Sequence, residues 1–336
     1  MTTRILVLGG THHVGRAVVE TALASGHAVT TLTRGISGPP APGADARQAD
    51  RLDPAALALA LGDDTWDLVV DTWSAQPAAV GAAARLLAGR AAHYTYISSR
   101  SVYAWPIPHH GDESAPVVDG DPDGIDERDY AAVKRGGELA ALRDFDGPVL
   151  LARAGLILGP YERVGRLPFW LRRIADGGRI PAPGPRDRPL QYIDGRDLAA
   201  FVLAAGARGL AGPFNTVSRS GHTTMGALLD RCAEVTGGSA QLVWVSPETV
   251  ESAEVAPWTE LPIWAPPTGD VAALHDGDVE AAYAQGLVCR PVEQTVADTW
   301  SWLQREGLPP GDADRVGAAM DAAAEARLLA LHDSRE

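Results

Sequence analysis

Ile5-Leu6-Val7-Leu8-Gly9-Gly10-Thr11-His12-His13-Val14-Gly15 opens the chain with an apolar run, a glycine-rich turn and the start of a helix. An unbroken apolar tetrapeptide suits a parallel strand buried on both faces. The segment Arg16 to Ser25 continues as a helix, closed by Gly26. Strand, glycine turn and helix N-terminus make a phosphate cradle, because backbone N–H groups and the helix dipole both favour an anion there. The usual dinucleotide fingerprint has glycine at the middle position, where His12 stands. Its side chain restricts backbone approach to a pyrophosphate, and the imidazoles of His12 and His13 are alternative donors. A metal role for the two histidines is disfavoured, since no carboxylate or thiol lies nearby in sequence.

Outward from this stretch, strands and helices alternate. Ala28 to Thr33 reads as the second strand, and Pro54 to Leu61 as a short helix with proline near its start. Trp66 to Thr72 is the fourth strand, followed by Trp73. Ala78 to Ala88 is an alanine-rich helix, His93 to Ser98 the fifth strand and Val149 to Ala152 the sixth. The pattern predicts an α/β fold, a Rossmann-type doubly wound parallel sheet. Ligands of such sheets bind beyond the carboxyl ends of the strands, which puts Ser98 and Ser99 on the ligand side. NAD-selective folds carry an acid just past the second strand; here Arg34-Gly35 follows it. A guanidinium suits a 2′-phosphate by charge and fork geometry, so the expected cofactor is NADP(H). Ile36 to Ala46 is rich in Pro and Gly and reads as a loop. Asp50 and Arg51 are expected at the end of the third strand, beside the adenine pocket.

Tyr130-Ala131-Ala132-Val133-Lys134 contains the single lysine of the chain. Positions i and i+4 share one helix face. A free tyrosine ionises near pH about 10, and a neighbouring cation lowers that value toward the working range. Arginine does not replace lysine here, because its charge is spread over a planar fork.

The 336 residues, 46% of them hydrophobic, suffice for a large core. No apolar run approaches the roughly 20 residues of a membrane span, and no leader precedes the first strand, so a cytoplasmic protein is expected. Cys232 and Cys289 show no metal spacing. A formal net charge of −14 opposes binding to nucleic acid or anionic lipid. Residues 104–129, with several prolines, many acids and His109-His110, read as a functional loop whose histidines are solvated. Later, Leu167 to Ala175, Asp197 to Ala207, Thr223 to Thr236, Val292 to Arg305 and Asp312 to Leu331 read as helices, and Leu242 to Val245 as a strand. Arg179 to Leu190 is Pro- and Arg-rich. Trp258 and Trp264 line a pocket or pack a core; the pattern leaves both open. The last helix, carrying Val316, Met320, Leu328 and Leu331, is expected to dock on its own domain.

These motifs, in this order, resemble an extended short-chain dehydrogenase/reductase, the NAD-dependent epimerase/dehydratase family. The resemblance runs from Gly9-Gly10-Thr11 through Ser98-Ser99-Arg100-Ser101-Val102-Tyr103 and Tyr130 to Lys134, then Gly159-Pro160 and Gln191 to Asp197. The turn also looks like the atypical branch that includes chloroplast stem-loop RNA-binding proteins and actinobacterial reductases. The resemblance implies Ser99 and Tyr130 as catalytic groups and Lys134 as the cation that lowers the tyrosine pKa and bonds the nicotinamide ribose. It places the nicotinamide near Ala154, Gly155 and Ile157. The expected cofactor contacts are completed by Gly9, Gly10, Thr11, His12, His13, Val14, Gly15, Arg34, Asp50, Arg51, Thr72, Trp73 and Ser98, with no metal. Sugar dehydratases of the family carry Asp-Glu where Arg100-Ser101 stands, which argues against dehydratase chemistry.

The expected arrangement is an NADP-binding domain over 1–160, to which 190–215 returns. A substrate lobe spans 161–189 and 216–310, and a C-terminal helix 311–336. The expected activity is hydride transfer to or from a carbonyl or alcohol of a small polar substrate, a sugar derivative or natural-product intermediate. A homodimer is compatible with it. The rivals are a nucleotide-sugar epimerase that retains its cofactor, and a non-catalytic cofactor-sensing or RNA-binding protein on the same scaffold.

Overall fold

A computed structural model describes residues 2–126, 128–307 and 319–335. The first half alternates strand and helix: β1 Arg4–Leu8, α1 His13–Ala24, β2 Ala28–Thr33, β3 Asp45–Gln48, α2 Pro54–Leu61, β4 Leu68–Asp71, α3 Pro77–Leu87, β5 Tyr94–Ser99, α4 Tyr130–Asp144 and β6 Val149–Ala154. The chain goes on through β7 Leu156–Leu158, α5 Arg166–Ala175, β8 Gly178–Pro183, β9 Pro189–Leu190, β10 Tyr192–Asp194, α6 Gly195–Ala207 and β11 Gly212–Thr216. It ends with β12 Thr223–Thr224, α7 Met225–Thr236, β13 Ala240–Val245, α8 Pro247–Ser252, α9 Glu280–Ala284, α10 Val292–Glu306 and α11 Ala322–Asp333.

Seven strands form one parallel sheet in the order β11-β6-β5-β4-β1-β2-β3. The order reverses direction at β1 and β4, the crevice where open α/β sheets take ligands. One apolar cluster covers the face that carries α1 and α6, with Val18, Leu198 and Val202. A second, with Leu57, Val80 and Ala140, covers the face of α2, α3 and α4. A third lies outside the sheet and joins α5, α7, α10 and α11 through Trp170, Leu228, Trp302 and Leu328.

Two expectations change, and one segment without an assigned element gains a strand. The third strand begins at Asp45, inside the stretch read as loop, because an edge strand of mixed exposure shows no apolar run. The Pro- and Arg-rich segment contains β8, paired in parallel with β13 from Ala240↔Gly178 to Val245↔Pro183. A two-stranded sheet has a free edge on each strand, which tolerates Pro181 and Pro183. The last helix starts at Ala322; Asp312 and Val316 lie outside the described residues. Its Leu328 is fully buried in the third cluster, so it docks on its own lobe as expected.

Candidate active site

All seven strands of the parallel sheet end on one edge, and there a cavity of about 580 Å³ opens. Its walls include His13 from α1, Ser99 from β5, Tyr130 from α4 and Ala154, Gly155 and Ile157 beyond β6. Residues more than a hundred positions apart in sequence thus meet in one space.

Tyr130 is the first residue of α4. The helix is capped by Asp129, whose carboxylate accepts the N–H groups of Ala131 and Ala132 at 3.0 and 3.2 Å. The cap fixes where the helix begins and so where the phenol stands. Tyr130 keeps 47% of its surface open, while Lys134, one turn on, keeps 3%. The Lys134 ammonium donates to the carbonyls of Trp73 and Ile97, each at 2.7 Å, and lies 4.7 Å from the Tyr96 ring centroid. Ser99 Oγ accepts the Ser101 N–H and donates to Ser101 Oγ, both at 3.1 Å, which fixes the serine at the end of β5.

Strand alternation separates the two adjacent serines. Ser98 points away from the cavity and donates to buried Glu138 at 2.7 Å. Glu138 also accepts from Arg153 Nε at 2.9 Å and Arg135 at 2.9 Å. Of the two serines, Ser99 lines the cavity and Ser98 does not. Arg51 also departs from expectation: it is buried on Asp71 at 2.5 and 2.7 Å, with Trp73 stacked 5.0 Å away. Asp50 is exposed two residues past β3 and caps the Leu52 N–H at 3.0 Å. Thr72 Oγ1 donates to Leu8 O at 3.0 Å, joining the ends of β4 and β1.

The glycine turn is built for close approach. Gly9 and Gly10 have φ of 105° and 144°, conformations that glycine adopts without strain. A Cβ on Gly9 would collide with Thr72 Oγ1, and one on Gly15 would sit 2.7 Å from the Gly10 nitrogen. The N-terminus of α1 has no side-chain cap and no acid in its first turn. Its free N–H groups and dipole fit a pyrophosphate. The two histidines are not equivalent. His12 is exposed at the cap position, whereas His13, at φ 43°, is half-buried with its enclosed Nε2 lacking a partner among the described residues. Burial above all, aided by His12 and Arg166 and opposed by Asp194, pushes His13 down to about 4, so its imidazole is neutral at pH 7. Arg34 is exposed just past β2.

The residue model of the NAD-dependent epimerase/dehydratase family matches positions 5–215. The chain belongs to this family. Membership supports a nicotinamide dinucleotide as the cofactor of this enzyme. No curated protein sequence matches the chain. Among solved structures, the Bordetella bronchiseptica enzyme WbmG, in complex with NAD and UDP, is similar at 18% identity and a TM-score of 0.66, over 92% of this chain and 96% of WbmG. A Burkholderia cenocepacia protein described as a putative epimerase aligns at 20% identity and TM-score 0.67, over 90% of this chain and 98% of its own. UDP-glucose 4-epimerase of Thermotoga maritima, with UDP-glucose, aligns at 16% identity and TM-score 0.61, over 90% and 99%. At these identities the likeness is one of fold.

Several cavity residues had no local signal in the family motifs. Arg166, Leu274 and His275 reach the cavity through long-range packing, and Gln191, from the motif Gln191 to Asp197, joins them there. Trp258 lines the cavity and Trp264 is buried in the lobe core, so the two tryptophans divide the two readings. His109 and His110 are exposed and both face Asp276, at 2.7 and 3.4 Å. Arg100 is buried and donates to Gln191 Oε1 at 3.0 Å and Leu274 O at 3.2 Å. The described residues lining the cavity include Arg100, Arg128 and Arg166 and no carboxylate. Among the described residues, no helix is long and apolar enough to cross a membrane.

Proposed function

We propose that this protein is an NADP(H)-dependent oxidoreductase acting on a carbonyl or alcohol of a small polar substrate. One observation carries the reading: Ser99 and Tyr130 open onto one cavity, with Lys134 one helical turn below the phenol. In this reading Ser99 and Tyr130 hydrogen-bond the substrate oxygen, and Tyr130 gives it a proton or takes one away. Lys134 fixes the end of α4 and favours the phenolate. The turn Gly9 to Gly15 holds the pyrophosphate, Ala154, Gly155 and Ile157 flank the nicotinamide, and Arg34 takes a 2′-phosphate. A bound nicotinamide supplies or accepts the hydride. Residues 1–160 with 190–215 then serve the nucleotide, and 161–189 with 216–310 the substrate.

A second reading is favoured by the three arginines in a cavity wall that carries no carboxylate among the described residues. In a chain of net charge −14, such a wall suits an anionic substrate. Epimerisation of a nucleotide sugar with retained cofactor meets that requirement; UDP-glucose 4-epimerase is among the similar folds. Mass spectrometry of the nucleotide carried through purification, followed by a substrate screen reading nicotinamide absorbance, separates the two. Net consumption of NADPH supports the reductase. Turnover without net consumption, with NAD retained, supports the epimerase and overturns the first reading.

A further inference from the structure

Among the described residues the buried arginines are Arg51, Arg100 and Arg153. Two of them sit on carboxylates. Arg51 is bonded to Asp71, and Arg153 donates from Nε and Nη2 to Glu138 at 2.9 and 3.0 Å. Arg100 has only neutral acceptors. Its Nη1 donates to Gln191 Oε1 at 3.0 Å and to Leu274 O at 3.2 Å. Its Nε is enclosed with no partner among the described residues. Its Nη2 makes no hydrogen bond to a described residue either.

The surrounding wall is shaped to hold this guanidinium in place. Gly277 packs so close that a Cβ there would collide with Nη2. The Gln191 amide is fixed in turn: its Oε1 also accepts the Gly277 N–H at 2.8 Å, and its Nε2 donates to Ser218 O at 2.9 Å and Gly277 O at 2.8 Å. Two carboxylates act on Arg100 from beyond ion-pair range, and both are engaged elsewhere. Asp276 faces His109 and His110, and Glu113 accepts the Asn215 N–H at 2.7 Å.

Arginine keeps its charge at any working pH, and a buried charge without a paired counter-ion is costly. A bound ligand offsets that cost when it brings the missing anion. Arg100 lines the cavity and directly follows Ser99 in the chain. A guanidinium offers its donors in one plane, which matches the oxygens of a carboxylate or a phosphate.

We propose that Arg100 is a substrate-binding residue that sets specificity, its guanidinium receiving an oxyanion of the substrate, a carboxylate or a phosphate. The inference rests on the site proposed at Ser99 and Tyr130 and holds for either reaction considered there. It seats the anion against the wall formed by Gln191, Leu274 and Gly277, and it makes uncharged analogues of the substrate poor ligands.

The test is equilibrium binding to the full chain saturated with NADP+ or NAD+, so that the nucleotide occupies the glycine turn. The probes are acetate and inorganic phosphate at constant ionic strength, with acetamide as the uncharged control. At least one anion is expected to raise Tm along a saturable curve and acetamide is not; the anion with the lower Kd identifies the class. Arg100→Gln is expected to weaken that Kd about tenfold or more, the loss of a charged hydrogen bond, with nucleotide affinity unchanged. Arg100→Lys is expected to lose less. The Arg100 Nε–Hε NMR signal, assigned by its loss in Arg100→Lys, is expected to move along the same curve in wild type. An unchanged Kd in Arg100→Gln would overturn the inference, as would a stationary Nε–Hε signal or no saturable effect of either anion. A loss confined to Arg166→Gln would overturn it too and assign the anion to that arginine. The binding needs no turnover, so its failure is distinct from intact activity in Tyr130→Phe, which would overturn the proposed function instead.

Discussion

Lys134 Nζ donates to the carbonyl oxygen of Trp73 at 2.7 Å, tying α4 to the chain just past β4. A second bond of 2.7 Å to Ile97 O ties it to β5, and the Tyr96 ring closes the side. The pocket for this ammonium is small and buried, which explains why the one lysine of the chain sits where arginine serves everywhere else. Lys134→Met takes the ammonium from the buried Ile97 carbonyl and leaves Trp73 O with the Tyr96 hydroxyl alone, so the unfolding free energy is expected to fall by about 1–3 kcal/mol. Lys134→Arg is expected to lose stability as well, because a planar fork does not fit a site shaped for a compact cation. Urea denaturation followed by tryptophan fluorescence checks both; an unchanged midpoint in either variant contradicts this account of Lys134.

Glu138 makes a contrasting prediction, for stability more than turnover. It is fully buried and is engaged by Ser98, Arg135 and Arg153. Glu138→Ala leaves Arg153 enclosed without its partner and is expected to cost about 3–5 kcal/mol. Glu138→Gln keeps the shape and is expected to cost less. Thermal melts of the two variants give the comparison; equal melting temperatures for Glu138→Ala and wild type would contradict a structural role for the network.

Arg34 tests the cofactor preference. Loss of a charged hydrogen bond is worth about 1.5–3 kcal/mol, so Arg34→Ala is expected to weaken NADPH binding on the order of 10–100-fold. NADH has no phosphate at that position and is expected to bind as before. Titration calorimetry with both nucleotides decides; equal losses for both would remove Arg34 from 2′-phosphate recognition.

His275 gives a pH dependence of known sign. Its ring is buried, Nδ1 accepting the Gln191 N–H at 3.1 Å and Nε2 lying 3.1 Å from Ile263 O. Burial, chiefly, pushes its pKa from 6.5 down to about 4. A depressed histidine contributes stability above its unfolded value and loses it as pH falls through the folded value. Relative to His275→Asn, wild type should therefore lose about 3 kcal/mol between pH 6.5 and 4. Glu162 works in the opposite direction: burial raises it to about 7, so its contribution is lost as pH rises from 4.5 toward 7. Paired denaturation curves of wild type and variant cancel the Glu162 contribution. A pH-independent difference between the two proteins would contradict the assignment.

What could be read from the sequence follows the range of the forces involved. β1, the glycine turn and α1 were legible because a buried parallel strand is a local apolar run and the turn needs glycines. Tyr130 and Lys134 on one helix face were legible for the same reason, since the i, i+4 spacing is local. Arg51 was not, because its partner Asp71 lies 20 residues away across the sheet and turns a supposed adenine contact into a buried ion pair. Ser98 and Ser99 share a strand end, and which one faces the cavity depends on the pleat rather than on residue type. Arg166 had no local mark at all, since its neighbour Trp258 is brought to it by the packing of the second lobe.

The central claim concerns the phenol of Tyr130, and Tyr130→Phe tests it most directly. The variant keeps the ring and removes the hydroxyl, which the helix cap by Asp129 does not use. On the substrate found in the nicotinamide-absorbance screen, kcat is expected to fall about 100- to 10,000-fold, the usual contribution of a positioned acid or base. NADP(H) affinity, measured by titration calorimetry on the same preparation, is expected to stay unchanged. Wild-type kcat in Tyr130→Phe with nucleotide still bound would contradict the account.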